Sequence, residues 1–221
     1  MSITYVKPEG DLNTAKYIIV GEQPGTTEIR VKRPFKGPAG NVLDECLLKA
    51  RISRSECYLT NVIKDLDHPL KYYYVSGSGN PYFTKAGAEH TVALKKELSA
   101  AKPGTVIIAV GNVAMWALCE RIGITNWRGS ILDSIMVPGL KVVPVIHTAT
   151  VIPPKNVYSN KLLIQFDLTK AKRVYHGDYN HYDYAIITAP SYSDVTKYIG
   201  YAGLPRTIDF DIEVHPANEE I

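Results

Sequence analysis

The run Thr105-Val106-Ile107-Ile108-Ala109-Val110 constrains this chain more than any other stretch. Its apolar residues follow one another without alternation, so a strand built from them needs cover on both faces. Such strands belong to parallel sheets flanked by helices. Pro103-Gly104 precedes the run and Gly111-Asn112 ends it, as turn residues should. Tyr17-Ile18-Ile19-Val20, Tyr58-Leu59-Thr60-Asn61-Val62-Ile63 and Leu140-Lys141-Val142-Val143-Pro144-Val145-Ile146 read the same way. Helical spacing of apolar residues falls between them. It covers residues 42–50 with Asn41 as N-cap, 84–101 with Ala88, Val92, Leu94 and Leu98 as anchors, 113–121, and 159–174. Ser53 is suited to cap a short turn. The segments 26–33 and 67–82 are polar and read as loops. Strands alternating with helices predict an α/β fold, three-layer α/β/α, with a central mostly parallel sheet of about four strands.

Composition narrows the class. With 45% hydrophobic residues in 221, the chain can bury a sizeable core. A net charge of +3 permits a nucleic-acid partner without demanding one. No basic-then-apolar leader is present and no apolar run approaches about 18 residues, so a soluble, cytoplasmic protein without a membrane partner is expected. The three cysteines, Cys46, Cys57 and Cys119, form no CxxC pair. Buried free thiols are expected rather than disulfides or a metal site.

Chemistry gathers at the strand ends. Gly21-Glu22-Gln23-Pro24-Gly25 follows the first strand, and Pro34-Phe35-Lys36-Gly37-Pro38-Ala39-Gly40 leads into the first long helix. Ligands bind at such places in open α/β sheets. A glycine-dense loop before a helix also suits a phosphate cradle. Glu22, Phe35, Asn61 and His147 make a coherent set. A carboxylate can activate water, an aromatic face can hold a planar base, an amide reads a base edge carrying both a donor and an acceptor, and an imidazole can stabilise a leaving anion. Taken singly, each is an ordinary turn, core or surface residue; their shared position at strand ends favours a site.

These residues carry a resemblance. Gly21-Glu22-Gln23-Pro24-Gly25, Glu28 and Pro34-Phe35-Lys36-Gly37-Pro38-Ala39-Gly40 resemble the first motif of the family 4-type uracil-DNA glycosylases. Thr60-Asn61-Val62-Ile63-Lys64 is similar to that family's Thr-Asn-Val-Val-Lys element, Trp127-Arg128-Gly129 to its Arg-Gly turn, and His147-Thr148-Ala149 to its His-Pro-Ser or His-Pro-Ala. The resemblance implies that Glu22 positions the attacking water and that His147 stabilises the departing uracil anion. It implies uracil binding by Gln23, Glu28, Phe35 and Asn61, with Phe35 stacking on the base, Asn61 reading its edge and Glu28 crowding out thymine. It implies DNA contacts from Gly25, Lys64, Val151, Ile152 and Lys155, with Val151 and Ile152 as a wedge in the gap left by a flipped base. Uracil-containing DNA, single- or double-stranded, is the implied partner.

Three departures accompany it. The family holds an iron–sulfur cluster on four cysteines, two near the N-terminus; residues 1–16 contain none, so no cofactor and no metal are expected. Thr148 stands where the family has proline, and Arg33 where glycine precedes Pro-Phe. Farther on, Phe210-Asp211-Ile212-Glu213 resembles the first motif of the 3′–5′ exonuclease domains of DNA polymerases, whose Asp and Glu share a strand face. The expected organisation is a uracil-DNA glycosylase-like domain over 1–175, a linker over 176–205 and the start of a truncated exonuclease-like domain over 206–221. Together these imply the N-terminal piece of a phage-type DNA polymerase, working in the host cytoplasm with the rest of the polymerase in cis or in trans. The alternative is a catalytically inactive module that binds DNA or uracil and positions the polymerase.

Overall fold

The computed structural model describes residues 4–77, 79–179 and 191–193. The elements below fall within a compact unit ending at Tyr179. Most of the linker expected over 176–205, and Phe210-Asp211-Ile212-Glu213, lie outside the described residues.

The chain runs β1 (Tyr17–Gly21), α1 (Thr26–Val31), α2 (Pro38–Lys49), β2 (Cys57–Asn61), β3 (Tyr74–Val75), β4 (Tyr82–Phe83), α3 (Lys85–Leu98), β5 (Val106–Val110), α4 (Asn112–Cys119), α5 (Ile124–Trp127), β6 (Leu132–Asp133), β7 (Lys141–Val145) and α6 (Asn160–Tyr175). The main sheet has the order β2-β1-β5-β7-β6. The first four strands are parallel; β6 adds a short antiparallel edge, Leu132 opposite Val142. The fold is therefore the expected three-layer α/β/α, with five strands in its sheet.

Strand pleating sorts the core into two layers. Ile19, Leu59, Ile108, Val143 and Val145 face α2 and α6, packing with Leu43, Leu47, Ile164 and Leu168. Ile18, Val20, Ile107, Ala109 and Val142 face the opposite way, against Leu94 and Leu98 of α3 and Met115 and Leu118 of α4. This alternation at period two is what an unbroken apolar run allows. Among the described residues, no helix is long and apolar enough to cross a membrane.

Four local expectations are corrected. The polar segment 26–33 contains α1, a helix whose N-cap is Gly25 and whose inward residue is the carboxylate Glu28, so hydrophobic spacing could not reveal it. Asn41 lies inside α2, whose N-cap is Gly37 and whose first residue is Pro38; proline's fixed φ starts a helix at no hydrogen-bonding cost. Val92 is exposed because it sits about 200° around α3 from the buried Leu94. The segment 67–82 holds a 3-10 turn, Leu70–Tyr72, and a small hairpin in which Tyr74 pairs with Phe83. Ser53 does cap a turn, accepting from the Ser55 N–H.

The chain passes from β1 to β2 on one side and later returns to β5 on the other side of β1. The sheet thus reverses direction at β1, and the C-terminal ends of β1, β2, β5 and β7 open onto one crevice, where α/β sheets bind ligands.

Candidate nucleobase site

A cleft of about 260 Å³ lies at those strand ends, lined among others by Gln23, Phe35, Asn61, His147 and Ile152. Each side chain arrives from a different element. Asn61 is the last residue of β2 and is nearly buried. Phe35 lies in the turn before α2, at a left-handed φ of 52°. Its carbonyl and that of Pro34 accept hydrogen bonds from the Arg54 guanidinium, at 3.5 and 2.9 Å. Arg54 is itself held by Glu9 and Asp44. Burial alone would raise the Glu9 carboxyl, but the Arg54 and Arg33 guanidiniums hold it down at about 2. Sequence reasoning missed this brace, because Glu9 and Arg54 become neighbours only in the folded chain.

Gly21 explains why the cleft can form beside the sheet. A Cβ there would lie 2.3 Å from Asn61 Oδ1 and 2.5 Å from Phe35 Cζ. The missing side chain is the space that lets the Phe35 ring and the Asn61 amide meet.

His147 follows β7 and caps a 3-10 turn, Thr148–Thr150. Its Nδ1 accepts the Ala149 N–H at 3.1 Å, which puts the imidazole proton of the neutral ring on Nε2. Burial, aided by the charge of Lys155, pushes its pKa down to about 4, so the ring is neutral at ordinary pH. Gly111, at φ 91°, closes in behind it; a Cβ there would sit 3.0 Å from His147 Cδ2. The site therefore presents a neutral Nε2–H donor whose orientation is fixed by backbone.

Glu22 is partly buried next to Gly21 and lies beside the cleft rather than in its lining. Burial raises its carboxyl above the usual range, and Lys155 opposes that shift. Burial, and then the charge of Glu22, raises the Tyr74 hydroxyl. A carboxylate with these neighbours can accept a proton from water.

The remaining expected residues divide. Gly25 lines the cleft. Gln23 lines it too, with its amide N–H groups donated to the carbonyls of Asp65 and His68, at 3.0 and 2.9 Å. Lys155 is exposed, and its charge acts on both Glu22 and His147. Ile152 is half-buried at the cleft. Val151 is instead packed into the core, so of the two residues expected as a wedge only Ile152 reaches the cleft. Lys64 is also corrected: its ammonium is buried, paired with Glu97 at 2.8 Å and bonded to the Thr60 hydroxyl, and burial lowers its pKa. A lysine consumed in this way has no charge to offer DNA. Glu28 is nearly buried, and its carboxylate accepts from the N–H groups of Gly25, Lys36 and Gly37, at 3.2, 3.0 and 2.7 Å. It ties the two glycine turns together across the cleft wall. Arg128 forms a forked pair with the buried Asp167 of α6, at 2.6 and 3.0 Å, and fastens the turn after α5 to that helix.

The cysteines do not fit an iron–sulfur cluster. Cys46 and Cys57 lie in the core layer on one face of the sheet and Cys119 in the layer on the other. Burial pushes the Cys57 and Cys119 thiols up to about 12, away from the thiolate a metal needs. Among the described residues, no group of three or more His, Cys, Asp or Glu is placed to hold a metal ion.

Comparison with known proteins points the same way as the geometry. Residues 7–164 match the family model described as the uracil DNA glycosylase superfamily. The chain is 30% identical over 166 residues to the type-4 uracil-DNA glycosylase of Thermotoga maritima, covering 74% of this chain and 79% of that protein. It is 41% identical over 59 residues to the type-4 uracil-DNA glycosylase of Pyrobaculum aerophilum, 27% of this chain and 30% of that one. A 50-residue stretch is 42% identical to the corresponding enzyme of Archaeoglobus fulgidus, covering 23% of this chain and 25% of that one.

Proposed function

The chain belongs to the uracil-DNA glycosylase superfamily, and we propose that it is itself a uracil-DNA glycosylase, which takes uracil out of the DNA stack and hydrolyses its N-glycosidic bond. The observation that carries this reading is the single cleft shared by Phe35, Asn61 and a neutral His147. Uracil is planar and carries an N3–H donor beside carbonyl acceptors. Phe35 holds its face, and the Asn61 amide pairs with its edge, which cytosine does not match.

As the glycosidic bond breaks, negative charge grows on the base and the sugar turns oxocarbenium-like. The Nε2–H of His147 donates toward a carbonyl oxygen of the departing uracil and stabilises that charge. Glu22, ionised, orients the water that attacks the anomeric carbon and takes up its proton. Lys155 lies where a neighbouring phosphate would pass, and Ile152 at the cleft edge fills part of the space the flipped nucleotide leaves. The products are free uracil and an abasic site.

Incubation with a uracil-containing oligonucleotide, followed by alkali, tests the reading: strand scission that depends on Glu22 and His147 supports it, and intact strands across pH and salt with folded protein overturn it. One observation favours a second reading, a module that binds uracil without releasing it. Thr148 buries a hydroxyl with no hydrogen-bond partner among the described residues, directly after His147, where the family has proline. Tight uracil-specific binding without base release would select it.

The finer part of the proposal is a polymerase setting. It rests on the resemblance of Phe210-Asp211-Ile212-Glu213 to an exonuclease motif. It predicts that the chain binds a phage-type polymerase module and alters that module's passage across template uracil.

A further inference from the structure

Beside the cleft, the 3-10 turn Leu70–Tyr72 carries an aromatic surface that the proposed chemistry does not use. His68 and Tyr72, both exposed, lie ring on ring with centroids 4.0 Å apart and planes 31° from parallel. The pair stands on a buried foundation. Tyr73 meets Tyr72 edge-on at 5.2 Å and meets His90 edge-on at 5.2 Å on its other side. The Tyr73 hydroxyl donates to Asp65 Oδ1 at 2.6 Å, and His90 Nε2 lies 3.3 Å from Asp65 Oδ2. The shelf is also fastened to the cleft: Gln23, a lining residue, donates to the Asp65 and His68 carbonyls.

We propose that the His68–Tyr72 shelf is a stacking site for the base adjacent to the flipped nucleotide in single-stranded DNA; this rests on the reading of the cleft as a uracil site. Aromatic platforms with braced rings accept any base, because every base has a π face, and little side-chain entropy is lost on binding. Lys71 is exposed on the same turn and the Asp65 and Asp67 carboxylates lie close by, so what the shelf offers a base is its stacking face rather than a positive field. A duplex keeps its neighbouring bases stacked on one another, so only a single strand can offer one to the shelf.

The test uses the full chain and labelled oligonucleotides carrying uracil or thymine, single-stranded or in duplex, with binding read by fluorescence anisotropy and excision read in parallel. Tyr72→Ala should weaken single-strand binding about tenfold, equally for uracil and thymine strands, and leave duplex binding unchanged. Tyr72→Phe, which keeps the ring, should restore binding. Phe166→Ala removes another exposed aromatic ring, on α6, and should change nothing. Wild-type single-strand affinity in Tyr72→Ala, or equal losses for Ala and Phe, overturns the shelf. If wild-type protein releases no uracil yet its single-strand binding still depends on the Tyr72 ring, the glycosylase reading fails and the shelf stands. If excision is intact and binding ignores the ring, the shelf fails alone.

Discussion

Phe35 and Asn61 occupy the two sides of the space that a side chain on Gly21 would fill, Asn61 Oδ1 at 2.3 Å and Phe35 Cζ at 2.5 Å from a Cβ built there. Gly21→Ala is therefore expected to displace the amide, the ring or both. Overpacking of this kind costs about 1–3 kcal/mol. Uracil release should fall far more than stability does, because the two groups proposed to hold the base are the ones that must move. Urea unfolding beside an excision assay separates the two effects.

Glu28 braces the turn that carries Phe35 through the Lys36 and Gly37 N–H groups and ties it to the Gly25 N–H. Hydrogen bonds to a charged acceptor are among the stronger ones, and their loss strands buried donors, so Glu28→Ala should cost about 3 kcal/mol. The expected functional result is slower uracil excision without any gain of thymine excision. Release of thymine from T-containing DNA would instead mark Glu28 as a direct gate on the base.

Lys155 sets the acid side of the activity profile. Its charge favours ionised Glu22 and disfavours protonated His147. Lys155→Ala should raise both pKa values, so the acid limb of kcat/KM for uracil release moves to higher pH. Because Lys155 is exposed, added salt should shift the wild-type limb the same way and the variant's hardly at all.

Two buried groups pull stability in opposite directions on acidification. His147 titrates near 4 when folded against about 6.5 when unfolded, so in that window the unfolded chain binds the extra proton and stability falls as pH falls. Burial, partly offset by Arg128, raises the Asp167 carboxyl to about 6, against about 3.9 unfolded, so there the folded chain binds the proton and stability rises as pH falls. Comparing urea midpoints at pH 7 and pH 5, His147→Asn should fare better than wild type on acidification and Asp167→Asn worse.

The Thr148 hydroxyl is buried and has no hydrogen-bond partner among the described residues. Thr148→Val should stabilise the protein by about 1 kcal/mol, a rise of about 2–4 °C in Tm. Thr148→Pro should match it, since the position opens a 3-10 turn and His147, at φ −61° and ψ 127°, already has the extended backbone that precedes proline. Calorimetry reads both, and excision by Thr148→Pro shows what the native threonine does to turnover.

The sequence by itself determined the layers and the strand ends. Unbroken apolar runs at 17–20 and 106–110 demanded cover on both faces, and the polar residues at strand ends, Glu22 past the first run and Asn61 and His147 at the ends of two further strands, were bound to lie at one edge of a parallel sheet. Only the tertiary structure decided what each polar group had left to offer. Lys64 looks like a phosphate contact in one dimension, but Glu97 claims its ammonium in the fold, and Glu28 lines the cleft with its carboxylate engaged by three backbone N–H groups. Val151 and Ile152 are alike as letters, and packing sends one into the core and the other to the cleft. Arg54, silent in the sequence, braces Phe35 through partners that lie far along the chain. Hydrophobic periodicity is a local signal and can be read locally. A hydrogen bond or an ion pair depends on which distant groups the fold brings within about 3 Å, and no window of residues contains that distance.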